Sequence, residues 1–201
     1  SMRDAIPASL FERMKAGGVS YDPTLLVQDA LTRFIKSDLS GLDATLVQQT
    51  APPELLRGTK KLAGSPAVGP MRKSYAGYPL NFDQAKKNLV AAHQAGVTLT
   101  AGTDAGNPLV LHGPGIHREM QLWVEAGLPA AVALQAATHN NAQLLGVGSR
   151  LGLIKQGYDA SLLLVDGNPL QEISATERIS SVFLKGERVV RADLFDPDAL
   201  K

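Results

Sequence analysis

The chain contains no cysteine. That excludes disulfides, thiolate nucleophiles, cysteine-ligated zinc and iron–sulfur clusters, and leaves His, Asp and Glu as the side chains able to hold a metal. Neither sign of charge dominates, since 20 Lys and Arg face 19 Asp and Glu for a formal charge of +1. Without a basic or acidic block the surface has no electrostatic footprint for nucleic acid or anionic lipid, so neither kind of partner is expected. No apolar run approaches the roughly 20 residues a membrane helix needs, and the opening SMRDAIPASLFERMK lacks a signal-peptide core, which predicts a cytoplasmic chain with no membrane partner. Ser1 reads as a protease-cleavage scar. Three site motifs are also missing: the Gly-x-x-x-x-Gly-Lys phosphate loop, the Gly-x-Gly-x-x-Gly dinucleotide turn and the Gly-x-Ser-x-Gly elbow. Nucleotide, dinucleotide and serine-hydrolase functions therefore have no sequence warrant.

What is present is a globular composition, with 44% hydrophobic residues in 201. The length suits one or two domains and falls short of the roughly 250 residues of a closed eight-stranded α/β barrel. The first part of the chain alternates helix and strand. A short helix is expected over 7–17, with Leu10, Phe11 and Met14 on its apolar stripe, then a brief strand from Val19 to Tyr21. Helical spacing of Leu26, Ala30, Leu31, Phe34 and Ile35 marks 25–36. From Ser37 to Leu80 the text is loop-rich, with one possible helix at PELLRGTKKLA, and reads as a surface insertion or a lid.

Asn81 with Gln84 resembles a capping box opening a helix whose face is Phe82, Ala85, Leu89 and Ala92. A strand, VTLTAGTDAG, follows over 97–106. Two further helices are marked by Ile116, Met120, Trp123 and Val124 on one face and by Pro129 at a first turn, with a short helical turn at NAQLLG. This alternation predicts α/β architecture with a parallel sheet. After Gly146 the pattern changes to short strands, Ser161–Val165 and a hairpin over 179–191 turning at Lys185-Gly186-Glu187. These predict a small antiparallel β element.

The strongest candidate for chemistry is Asp104, between Gly102 and Gly106 at the C-terminal end of a predicted buried strand. That is where α/β sheets present catalytic groups, although an Asp after Gly-Thr also serves as an ordinary turn former. The four histidines are His93, His112, His117 and His139, and none forms the close pairs that give two metal bonds from one element. His93 lies off its helix's apolar face and His139 sits at a helix break, where solvation or capping explains them. His112, in LHGPGIHRE just beyond Asp104, is the candidate substrate contact.

The run from Leu99 to Leu170 resembles the C-terminal portion of amidohydrolase-superfamily enzymes, in the imidazolonepropionase-like and Xaa-Pro dipeptidase-like branch. The resemblance is carried in order by GTDAGNP, the HG and HRE segment, the EAGL and AAT helices with their LLG ending, and the DGNPL tail. AGGVSYDPTL, residues 16–25, resembles the seventh strand of the same family. By that resemblance the fold is a partial (β/α)8 TIM barrel, about the last two βα units over 3–146, followed over 147–201 by the C-terminal part of a flanking β-sandwich. The family holds one or two divalent metals, usually zinc. Asp104 would be the strand-eight aspartate that ligates or adjoins the metal, takes a proton from the bound water and passes it to the leaving group.

The same resemblance assigns the family's His-x-His of strand one, its bridging residue of strand four and the histidines of strands five and six to positions upstream of residue 1. Ser161 stands where the family usually has Asp. The implied function is a fragment of a metal-dependent hydrolase of amide, dipeptide or cyclic-amide bonds, inactive alone because a catalytic zinc needs about three protein ligands. The alternative is a non-catalytic oligomeric interaction module. Open strand edges predict a homo-oligomer in either case. A third possibility joins Asp104, His112 and His117 across a symmetric interface.

Overall fold

The protein is described by a computed structural model covering residues 4–190 apart from Pro79. Ser1, the Arg3 boundary of the first expected domain, Arg191 of the expected hairpin and the rest of the C-terminal end lie outside the described residues. The architecture is mixed α/β with a small antiparallel sheet. Among the described residues no helix is long and apolar enough to cross a membrane.

The first expected helix is α1, Ala8–Ala16, with Pro7 as its N-cap, next to its first turn. The expected strand at Val19–Tyr21 is a correction, because only Tyr21 is in a bridge, pairing in parallel with Leu99. The Tyr21 N–H donates to the Thr98 carbonyl at 2.9 Å and the Thr100 N–H donates back to Tyr21 at 3.1 Å. The strand expected over 97–106 is likewise reduced to this one bridge and a turn. With a single neighbour on one side, each segment gains too few ladder bonds to extend further.

The region from Ser37 to Leu80 is far more helical than its loop-rich composition suggests. After α2, Leu25–Ile35, it holds a 3-10 turn at Ser40–Asp43, α3 at Thr45–Thr50, α4 at Pro53–Ala63 and α5 at Gly69–Ala76. Its apolar residues form two small clusters, Leu42, Val47, Ala51 and Leu56 in one and Ala63 and Val68 with Phe34 of α2 in the other. Arg72 of α5 closes the C-terminal end of α2, its Nε donating to the Phe34 carbonyl at 2.9 Å while the guanidinium lies 5.0 Å over the Phe34 ring.

Helix α6, Phe82–Gln94, opens on Asn81, whose side chain accepts from the Gln84 N–H at 3.0 Å. The expected capping box is only half formed, since the Gln84 amide donates to Asn88 instead. Asn88 also accepts from the Ile6 N–H at 3.1 Å and donates to the Asp4 carbonyl at 2.9 Å, tying the start of the chain to α6. The main core gathers Leu25, Leu31, Leu89, Ala92, Leu99, Leu122 and Trp123, so α2, α6 and α7 (Gly115–Glu125) surround the Tyr21–Leu99 pair. Helix α8, Ala130–Gln135, continues into a π turn, Ala136–Asn140, and then α9, Asn141–Leu144.

The tail follows the predicted grammar. Strand β1, Leu162–Val165, pairs antiparallel with β2, Ile179–Leu184, which pairs with β3, Glu187–Val189. Lys185 and Gly186 both have positive φ, 52° and 90°, the geometry of a two-residue hairpin whose twist matches its strands. A 3-10 turn, Ile173–Glu177, packs Ile173 into the main core.

Gly152 marks the joint between the π turn and the tail. Its φ is +89°, and a Cβ there would lie 2.9 Å from the Thr138 carbonyl oxygen and 2.7 Å from the Ala142 Cβ. Gly186 has similar φ but open space around it. Gly152→Ala is therefore expected to lose about 2–4 kcal/mol, from strain plus overpacking, against about 1–2 kcal/mol for Gly186→Ala, as read by urea unfolding. Equal losses would refute the packing argument.

Candidate active site

The two segments joined at Tyr21 and Leu99 run parallel, so their C-terminal ends lie on one side, carrying Asp22 and Asp104. Asp22 is exposed, and its Oδ1 accepts from the Thr24 N–H at 3.2 Å and the Thr24 hydroxyl at 2.8 Å. This short loop bends through Thr24, which is left-handed at φ 45°. The Asp22 carboxylate lies against Gly102, where any Cβ would sit 2.5 Å from Oδ2. Gly102 thus leaves room for the neighbouring carboxylate, which a side chain at this position would push aside.

Asp104 sits two residues further on in a tight turn with φ 49°, a conformation Asp tolerates better than most residues. Its carbonyl accepts from the Asn107 side-chain amide at 3.0 Å, while the Gly106 N–H donates to the Val110 carbonyl at 3.1 Å. The residue is exposed, and its carboxylate makes no hydrogen bond or ion pair among the described residues. It is available to a proton or a cation.

His112 is exposed on the same connection, before α7 begins, with no hydrogen bond to Asp104. His117 is only 6% exposed, its Nδ1 is buried without a partner, and burial lowers its pKa, disfavouring the charged form. A site across a symmetric surface is not built from such an inward-packed ring. His93 is exposed as expected, whereas His139 falls within the π turn with its Nδ1 buried. Among the described residues no group of three or more His, Asp or Glu converges to hold a metal.

The rim depends on Glu119, which has no exposed surface and which the sequence places in the HRE segment without a role of its own. Helix α2 has no side-chain cap of its own. Instead the Leu25 and Leu26 N–H groups donate to Glu119 Oε1 and Oε2 at 2.9 and 2.6 Å, and the Trp123 indole N–H donates to Oε1 at 2.7 Å. A carboxylate at a helix N-terminus satisfies orphan donors and opposes the helix dipole. A sequence signal existed, because Glu119 lies on the predicted apolar face three residues after Ile116 and four before Trp123, where a charge demands a buried partner.

A cavity of about 240 Å³ lies between α2, α7 and the Ser40–Asp43 turn. Its wall includes Leu109, Leu111 and Gly115 from the connection after Asp104, but neither Asp104 nor His112. It adjoins the candidate site without containing it.

The profile of the Amidohydrolase family matches residues 80–189, more than half of the chain. The chain belongs to the amidohydrolase family. Ochratoxinase of Aspergillus niger is 31% identical over 118 residues, which cover 57% of this chain and 23% of that enzyme. A Xaa-Pro dipeptidase solved with methionine bound in its active site superposes with a TM-score of 0.65 at 27% identity, over 92% of this chain and 37% of the dipeptidase. A prolidase in complex with N-methylphosphonate-L-proline gives a TM-score of 0.61 at 22% identity, over 92% of this chain and 38% of that one, a likeness of fold. The chain thus spans less than half the length of each of these relatives.

Burial raises the Glu119 pKa from the ordinary 4.5 to about 7, against the opposing pull of Trp123 and the two backbone N–H groups, with the negative charge of Asp22 adding to the rise. Between those two values the folded chain holds a proton that the unfolded chain has released, so the contribution to stability is full below about 4.5 and is lost as pH rises through about 7. Glu119→Gln should flatten the fall in Tm between these pH values. It should also lower stability by about 1–3 kcal/mol by facing an amide NH2 toward an N–H donor. Identical pH slopes for both proteins would refute this assignment.

Proposed function

We propose that this chain supplies the last two βα units of a metal-dependent (β/α)8 hydrolase barrel, over 3–146, and the C-terminal part of its β-sandwich, over 147–201. The parent reaction is hydrolysis of an amide C–N bond in a small substrate such as a dipeptide, an N-acyl amino acid or a cyclic amide. The observation that carries this reading is Asp104, unpaired at the end of a segment in parallel pairing with Tyr21, inside the span matched by the family. The names of the relatives, an ochratoxinase and a Xaa-Pro dipeptidase, support an amide substrate.

In this reading Asp104 is the metal-adjoining carboxylate and proton acceptor, and His112 is a substrate contact. A carboxylate beside an attacking water takes its proton as the carbonyl is attacked and returns it to the leaving nitrogen. The described residues fall short of a zinc site, offering one suitably placed ligand where about three are needed. Hydrolysis by the isolated chain is therefore not expected.

A second reading, an oligomeric interaction module, is favoured by apolar exposure on the tail. Ile154 is 91% exposed, and Leu163, Leu164 and Leu184 stand out from the small sheet. Large apolar side chains left exposed on a small open sheet are commonly covered by another chain.

Elemental analysis of protein purified without chelator tests the first reading, with Asp104→Asn as control. About one divalent metal per chain, lost in the variant, is the expected result if chains assemble a ligand set; metal retained in the variant refutes the role of Asp104. Sedimentation tests the second reading, for which self-association is expected and a monodisperse monomer is the refuting outcome.

A further inference from the structure

Ala101 is the last buried residue before Gly102 and the Asp104 turn. One edge of its segment is taken by Tyr21, through the Thr98 carbonyl and the Thr100 N–H. The opposite edge presents the Leu99 carbonyl and both polar groups of Ala101, and these meet side chains rather than a strand. The Ala101 N–H donates to Asn141 Oδ1 at 3.1 Å, Asn141 Nδ2 donates to the Ala101 carbonyl at 2.9 Å, and Asn140 Nδ2 donates to the Leu99 carbonyl at 2.9 Å. A primary amide carries one acceptor and two donors, so a single Asn side chain reproduces the two-way exchange of a neighbouring strand. Asp lacks the donor, Leu lacks both groups, and Gln places them one methylene further out.

The helix is shaped to deliver these two amides together. Consecutive residues of a regular α-helix project about 100° apart, since a turn takes 3.6 residues. Here Asn140 ends the five-residue π turn, Ala136–Asn140, Asn141 begins α9, and both side chains reach the same edge. Such π turns are local departures from α geometry and recur at functional sites. This one is held from behind by Gly152, where a Cβ would come within 2.9 Å of the Thr138 carbonyl and 3.0 Å of the His139 Cα. A side chain at position 152 would displace the turn that carries both amides.

We infer that Asn141 is a positioning residue for Asp104. It fixes the peptide groups of Ala101 in both directions, three residues before the carboxylate, while the Asp22 carboxylate lies beside Gly102 on the intervening backbone. Between these supports the Asp104 turn keeps its left-handed conformation. Asn140 shares the edge but grips only a carbonyl, so it steadies the strand without holding Ala101. The inference rests on the role proposed for Asp104 in hydrolysis, yet its geometry can be measured without substrate or metal.

The test is nuclear magnetic resonance on the 201-residue chain and its Asn141→Ala, Asn141→Asp and Asn140→Ala variants. In Asn141→Ala the Ala101 amide is expected to exchange at least about tenfold faster, and backbone order parameters at Thr103, Asp104 and Ala105 to fall from about 0.85 to below about 0.6. Amides of Leu89 and Trp123 should keep their protection. Asn141→Asp retains an acceptor for the Ala101 N–H and should give the same pattern at smaller amplitude, which keeps the test usable if the alanine variant does not fold. Asn140→Ala should leave the Ala101 amide unchanged. Unchanged order at 103–105 in both Asn141 variants overturns the inference and leaves Asn141 as an edge cap; uniform acceleration that includes Leu89 and Trp123 overturns it as a general loss of stability. Failure of the hydrolase reading would appear instead in the metal analysis and would not alter these spectra.

Discussion

The structure is organised around one buried carboxylate. Glu119 leaves α7 on its apolar face and takes up the first N–H groups of α2 together with the Trp123 indole. An ionisable group without exposed surface is costly unless its oxygens are fully used, and here three donors use them. The contact sets where α2 begins, and the start of α2 sets the bend through Thr24 and Asp22. Asp22 in turn lies on Gly102, at the entrance to the Asp104 turn. Packing of α2 and α6 around the Tyr21–Leu99 pair supplies the bulk of the burial, while the buried Glu119 carboxyl group holds the first turn of α2.

Much of the helical layout is visible in the sequence because periodicity reports it directly. The faces of α2, α6 and α7, the Asn81 cap and the Lys185–Gly186 hairpin rest on local rules, and local rules survive folding. The two barrel-like strands were overestimated for the converse reason. Val19–Tyr21 and 97–106 have strand composition, yet strands are stabilised by neighbours, and each has one backbone neighbour with a single bridge. The insertion from Ser37 to Leu80 was underestimated because Pro and Gly punctuate it, although several of those prolines open helices at their first turns.

The candidate site was legible only at its tip. Asp104 stands out through its flanking glycines, and its exposure in a left-handed turn agrees with a presented group. Of the supports behind it, Glu119 leaves a trace as a charge on an apolar helix face, whereas Asp22 and Asn141 act over long sequence separations and leave none. A backbone edge completed by side-chain amides has no periodic signature at all. Family resemblance found the segments containing these residues without giving a reason for them, and the reason lies in hydrogen-bond bookkeeping around Ala101 and the end of α2.

The distance along the chain between Glu119 and the helix it caps has a consequence for the order of assembly. Chains are made from the N-terminus, so α2 leaves the ribosome well before the residue that completes it, with more than ninety residues still to come. An uncapped amphipathic helix of eleven residues is marginal by itself. Until α7 arrives, α2 has an apolar face without a core and a first turn without acceptors, and the Asp22 loop has no fixed end. A helix made more than ninety residues later therefore decides when the first carboxylate of the rim acquires its place.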